Sequence, residues 1–549
     1  HQENLWPVNL RPIPTNSKVK HPMRQSLRPG EDTGGWQASV PIAPPQQIGT
    51  VFETTIGGLL FETNYAFRCF ATNSAGFDWA AVSNFSTDSE PPGGSDTVIH
   101  VRAGAPGSQN GQTWFDAAPT LAAGVALIEG PTNEIWVANR SEDMNATVTI
   151  VTNASIYGGF LGHETNRAER VLTNVTLLHG LGARRALDIT AGTVLMDGLT
   201  ITNCLEGSGN SGHGMRANGS FELTLNNCLF TRNGRHDNCD GAGAYFSGGT
   251  VTVSNSIFRE NGFGHSLEGG GVHAAGTDLT AVDCIFTNNG APGYAGRGSN
   301  GGGIYQSGGS LVVLRSEFIG NHVGTDGGAL GGGIEVRNSA SAWIENTVFR
   351  HNTGTFQLGR GDGGNGAGLA VNVNAGYTVD VVNCSFAYNT GANRGGAIHL
   401  QAGVLNINNA ILWSNEVSEV AGADATGSEI FARDGTTLTI SYIDITGTTS
   451  NEIVVAGTNG TFSIGSGILT TDPLFVSATD LHLQSRNGHY TPLGYVADSA
   501  TSPCIDAGDP LSPQSHEPDP RGRRINLGAY GNTDQASRTA VTGSVLLFR

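Results

Sequence analysis

Five residues with side chains capable of chemistry stand at the fifth position of a short segment that recurs six times: Tyr245 in GAGAYF, His273 in GGGVHA, Tyr305 in GGGIYQ, Glu335 in GGGIEV and His399 in GGAIHL, with Ala370 in GAGLAV. Aromatic rings stack on sugar faces, and a histidine near a carboxylate can move protons, so such a row is a candidate glycan-binding face. The plainer reading is a solvated strand face carrying common β-formers, on which Tyr305 would matter little for stability. His236, Asp237, Asp240, His265, Glu268, Asp326, Arg360 and Asp362 precede these segments. A polysaccharide lyase would need a base together with a cation or arginine to stabilise an enolate. A glycoside hydrolase would need two carboxylates about 5–9 Å apart. Chain spacing alone supplies neither set, so no catalytic residue and no metal ligand is assigned. The GGG runs lack the lysine and helix of a phosphate loop.

The row has meaning only if the repeat stacks. FxxN recurs at Phe230–Asn233, Phe258–Asn261, Phe286–Asn289, Phe318–Asn321, Phe349–Asn352 and Phe386–Asn389, with a weaker copy at Leu412–Asn415. Successive phenylalanines are 28, 28, 32, 31 and 37 residues apart, so a fixed unit carries one variable insertion. Each unit holds the Gly-rich strand, an alternating strand such as Val251 and Val253, a junction residue, and the FxxN strand. The junctions are Asn227, Asn255, Asp283, Arg315, Asn346, Asn383 and Asn409. Asparagine tolerates the left-handed conformation that a stacked turn requires.

Three short strands per unit predict an all-β chain, a right-handed parallel β-helix or solenoid, with coils about 4.8 Å apart. The six phenylalanines then form an interior stack and the six asparagines a parallel structural ladder. Cys228, Ser256, Cys284, Ser316, Thr347 and Cys384 share the inner side as small packing residues. Cys204 is expected level with Cys228, where a disulfide is one option and buried free thiols the other.

Glycine makes up 80 of 549 residues, about twice the usual roughly 7%, without the G-X-Y period of collagen. Charged residues are 14% and the formal charge is −18, which argues against nucleic acid or anionic lipid as a partner. No apolar run approaches the roughly 18 residues of a membrane span. The seven cysteines lack CxxC spacing, and the start at His1 suggests a processed product.

The GGAI and GGGI segments and the FxxN copies resemble repeats of the polymorphic outer-membrane protein family, which are surface adhesins. SIYGGFLGHETNRAER at 155–170 is similar to a segment near the start of secreted bacterial β-helices. TDPLFV, LHLQS, SPCIDAGDP and DPRGRRINLGAYGNT resemble the C-terminal segment of surface-anchored β-helix proteins. Residues 58–87 resemble the last strands of a fibronectin type III module, whose front half is not recognisable in 1–35. The resulting division is 1–95, a partial module and arm; 96–470, the β-helix; and 471–549, a C-terminal cap, since an open solenoid end exposes strand edges.

The resemblance implies an extracellular or bacterial cell-surface protein, structural or adhesive, with surface glycans or a second copy of itself as partner. A missing sandwich strand supplied by a neighbour would give head-to-tail assembly, a divergent or trimmed module being the plainer reading. The alternative is a lyase or hydrolase on the same scaffold, because fold alone does not decide. No cofactor is expected. Asp506, Asp509, Glu517 and Asp519 could hold a structural calcium ion, with turn and capping roles as the plainer reading and Arg521, Arg523 and Arg524 to pair with them.

Overall fold

Each FxxN unit folds as one coil of three short strands, and the coils pair in parallel. In the coil Ala244–Ser247, Thr250–Ser254, Ile257–Arg259, the strands hydrogen-bond to Val272–Ala275, Asp278–Val282 and Ile285–Thr287 of the next, with Phe258 level with Phe286. The computed structural model describes 98–540 apart from 131–132, 208–210, 235–239, 263–267, 291–299, 325–329, 356–363, 419–426 and 448–451. Nearer the N-terminus it describes five strands. The chain divides into two compact units: one comprises 1–127, 136–139 and 159–174, the other the remainder.

In the larger unit the parallel β-helix runs to a last strand, Thr461–Ile464. Phe230, Phe258, Phe286, Phe318, Phe349 and Phe386 are fully buried. Successive ring centroids are 4.4–5.0 Å apart and the planes lie within 10° of parallel. Face-to-face stacking is not the preferred geometry of an isolated pair, but strand spacing imposes it here and close packing repays it.

The asparagines form a second inner column. Asn289 Nδ2 donates to Asn321 Oδ1 at 3.0 Å and to the Phe258 carbonyl at 2.8 Å, and its backbone N–H donates to the same Asn321 oxygen. The pattern repeats from Asn233 to Asn415, whose amide donates to the buried Glu429 carboxylate at 2.6 Å. Burial drives the Glu429 carboxyl up to about 8, against the lowering effect of its hydrogen bonds. All seven junction residues adopt φ between 46° and 56°. A further left-handed column follows the phenylalanines at Arg232, Glu260, Asn288, His351, Tyr388 and Ser414, residue types that do not advertise it.

The glycine excess has a local cause. Gly301 is left-handed (φ 58°), and a Cβ there would sit 2.3 Å from the Ile304 carbonyl oxygen. At Gly303 a Cβ would meet the Gly333 carbonyl oxygen at 2.6 Å and the Phe318 ring at 2.8 Å. The first glycine of the triplet turns the chain, and the third admits the phenylalanine stack.

Two expectations need correction. Ile201 pairs with Phe230, so Cys204 lies level with Asn233 rather than Cys228. Its N–H donates to Asn233 Oδ1 at 3.0 Å, taking the first place in the asparagine ladder. Cys204, Cys228, Cys284 and Cys384 are buried free thiols, and burial pushes the Cys204 thiol up to about 12. Secondly, the segment from Phe475 onward lies along the flank of the solenoid. Phe475, Leu481, Leu483, Cys504, Ile505, Leu527 and Ala529 pack with Val348, Ala387 and Ile411. Asn346 donates to the carbonyls of Ala529 and Gly531, and the Cys504 thiol donates to Asp444 Oδ2 at 2.9 Å. The last strand keeps Phe462 and Ile464 37% and 47% exposed, because the segment's apolar residues face the coil sides.

In the smaller unit, Trp136 stacks on Phe160 with centroids 4.8 Å apart, and Trp114 Nε1 donates to the Glu164 carbonyl. The buried Glu164 carboxylate accepts the N–H groups of Leu161, Gly162 and His163, which is the local role of the GHE sequence. Near the N-terminus an antiparallel sheet has the order Ala38–Ile42, Met23–Pro29, Asn64–Asn73, Gly76–Trp79, with Ser83–Ser86 also on Asn64–Asn73. Met23–Pro29 is thus an internal strand within the stretch that sequence left unrecognised; whether a sandwich groove stands open there lies outside the described residues.

Candidate functional site

The strand register joins the predicted row into one line along the axis: Tyr245, His273, Tyr305, Glu335, Ala370, His399. It continues backward to Arg216 and Asp188 and forward to Phe431. The Tyr245 and His273 rings are 4.8 Å apart, as are those of His273 and Tyr305.

These side chains point away from the phenylalanine core, but they do not form the solvated face expected for them. His273 is 5% exposed, Tyr305 4%, His399 1% and Glu335 not at all; only Tyr245 is half-buried. Alternation identifies the side of a strand, not what lies over it. The expectation that Tyr305 is dispensable for stability therefore falls, since truncating a buried ring leaves a cavity.

Burial shapes the chemistry of the row. It pulls the His273 imidazole down to about 4, the main chain of Glu268 offsetting part of the shift. It lifts Glu335 to about 8, with Arg337 opposing and Glu268 reinforcing. Tyr305 is raised by burial and by the charges of Glu335 and Glu268. His399 is lowered to about 3 by burial, then by Arg433 and Arg394. Several polar atoms lack hydrogen-bond partners: His273 Nδ1, both oxygens of Glu335 and both ring nitrogens of His399. The Arg337 guanidinium stands 3.8 Å from Glu335 Oε1, an ion pair without a hydrogen bond.

Where the variable insertions rejoin the coils, Asp240, Glu268 and His273 come together, one potential donor atom from each lying within 4.8 Å of the others. Glu268 Oε2 is 4.0 Å from His273 Nδ1. Burial raises Asp240 to about 6, and Glu268 adds to the rise. Sequence placed Asp240 and Glu268 among the insertion residues and His273 in the strand row, without joining them. His236, Asp237, His265, Asp326, Arg360 and Asp362 lie outside the described residues.

The C-terminal acidic residues serve turns. Asp506 accepts from Gly522 N–H and Thr539 Oγ1, Asp509 from Leu511 N–H, and Glu517 from Asn526 and Asn532 N–H. Asp519 lies 3.8 Å from Arg521, which together with Arg524 spends its hydrogen bonds on carbonyls.

A groove of about 430 Å³, not anticipated from sequence, opens between the C-terminal segment and the flank of the coils. Tyr490, Tyr530, His482 and Asp480 line one side, and Glu317 and Arg350 the other. His482 stacks on Tyr530 at 3.6 Å, and its Nδ1 is 2.6 Å from Asp480 Oδ1. Arg350 Nη2 is 3.8 Å from Glu317 Oε2. Residues about 130 to 210 apart in sequence meet here, so no local motif marks the place.

Among the described residues no helix is long and apolar enough to cross a membrane. No curated protein and no solved structure matches the chain. A family model for a right handed beta helix region matches residues 165–349, which span the first five phenylalanine coils, and the fold is an all-β right-handed parallel β-helix.

Proposed function

We propose that the chain is an extracellular or cell-surface β-helix protein that recognises glycans. The observation that carries this reading is the groove beside the C-terminal segment, whose volume is that of a small-ligand site. It pairs tyrosine faces with an arginine, two carboxylates and an imidazole, the mixture of apolar and polar contacts that a sugar ring presents in reverse. The parallel columns supply a rigid support, so groove residues on two adjacent coils and the C-terminal segment keep their spacing.

The test is a glycan microarray with the full chain, followed by titration calorimetry on whatever is retained. Tyr490→Ala and Arg350→Gln are each expected to weaken binding at least tenfold. Failure to retain any glycan, or equal affinity in both variants, overturns the reading.

Self-association is a second reading, supported by the exposed Phe462 and Ile464 on Thr461–Ile464, the last parallel strand among the described residues and an open sheet edge. The partner is a second copy of the chain. Sedimentation equilibrium should show a dimer that Phe462→Lys abolishes; a monomer at all concentrations removes it.

A further inference from the structure

The insertion ends hold an arrangement that glycan recognition does not explain. Parallel backbone bonds fix the insertion ends: Gly241 N–H donates to the Glu268 carbonyl and Gly269 N–H to the Asn300 carbonyl, both at 2.8 Å. This places Asp240 and Glu268 on adjacent coils with their carboxylates side by side, above an imidazole from the strand that follows. Two like charges so close repel.

The imidazole supplies an independent sign. His273 is buried, its Nδ1 has no hydrogen-bond partner, and that atom faces the Glu268 carboxylate. A neutral ring carries one nitrogen lone pair, and a buried polar atom without a partner is uncommon in native structures. Two cells further along the row, the buried Glu335 adds a third carboxylate whose oxygens accept no hydrogen bond, and Arg337 is the cation beside it. A positive ion at the insertion ends satisfies the lone pair and both carboxylates together.

We propose that Asp240, Glu268 and His273 form a binding site for a divalent cation of the zinc class, three protein ligands with at least one coordination position left open. Nitrogen among the donors favours zinc over calcium or magnesium, which take oxygen ligands. Zinc–ligand bonds of about 2.0–2.2 Å place donor atoms about 3–4 Å apart, so separations within 4.8 Å need only a small side-chain rotation. Asp240 and Glu268 are half-buried and have room for that rotation, whereas His273 is fixed in its strand. The ion ties the ends of two successive insertions to the coil beneath them.

The experiment uses the full chain after chelator treatment, titrated calorimetrically with Zn²⁺ and separately with Ca²⁺. The comparison protein is the Asp240→Asn, Glu268→Gln double variant, which preserves side-chain shape. Wild type is expected to bind one more equivalent of Zn²⁺ than the variant, to prefer Zn²⁺ over Ca²⁺ by at least tenfold, and to gain thermal stability that the variant does not. Equal zinc stoichiometry in both proteins, or tighter binding of Ca²⁺, overturns the assignment. If the variant does not fold, Co²⁺ added to wild type decides: visible bands displaced by one equivalent of Zn²⁺ support the site, and their absence refutes it. A loss of glycan binding leaves this outcome untouched, because the groove residues are a different set.

Discussion

Two buried polar columns run along the central coils of the solenoid, and they are built on opposite principles. The asparagine column on the FxxN side is fully buried, and its amide groups are bonded to the neighbouring coils. The row on the Gly-rich strand is nearly as buried at His273, Tyr305, Glu335 and His399, yet leaves polar atoms of His273, Glu335 and His399 without hydrogen bonds. A satisfied column contributes rigidity and fixes the register of the coils. An unsatisfied one costs stability, and proteins keep such groups chiefly where they meet a ligand or perform chemistry. The two faces of one coil thus differ in whether their buried polar groups are satisfied.

The contrast breaks most easily in the satisfied half. Phe318→Ala opens a cavity between two stacked rings beside the asparagines and should cost about 3–5 kcal/mol in chemical denaturation. A loss below about 1 kcal/mol would place the ring outside the core. Asn321→Ala removes the oxygen that accepts both the Asn289 backbone N–H and its amide. With roughly 1–3 kcal/mol for each of the two orphaned donors, a loss of about 2–6 kcal/mol is expected by the same measurement. A neutral result would mean that water replaces the amide and that the column is not the rigid element described.

Legibility in the sequence follows the same division. The FxxN spacing, the glycine triplets and the asparagine junctions repeat because every coil solves the same problem, so the fold and the phenylalanine stack could be read without coordinates. Cys204 was assigned the place of Cys228 instead of that of Asn233, five residues further along the coil, because its coil has Ile201 where later coils have phenylalanine, and the motif that sets the register is missing. The strand register aligns the row as the repeat implies, but its burial was not legible, since alternation along a strand identifies a side and not what lies over it. Asp240, Glu268 and His273 meet only when two insertions of different sequence end beside each other. The Tyr490–Arg350 groove depends on where a non-repeating segment docks, which no period encodes.

The row gives the sharpest test, because its expected sign is reversed. His399 carries two unpaired ring nitrogens in a buried site beside Phe431, whose ring lies edge-on at 5.5 Å. His399→Leu removes those nitrogens at similar volume and should raise stability by about 1 kcal/mol near neutral pH, where an alanine in the other column lowers it. The effect should grow in acid. With its folded value lowered to about 3 against an ordinary 6.5, the unfolded chain binds a proton that the folded chain refuses. The wild-type contribution is therefore retained above about pH 6.5 and lost progressively as pH falls toward 3. Denaturation at pH 7.5 and pH 5 measures both quantities, and the variant's advantage must be larger at pH 5. If the variant is less stable at both values, the imidazole has found a partner, and the row belongs with the architecture rather than apart from it.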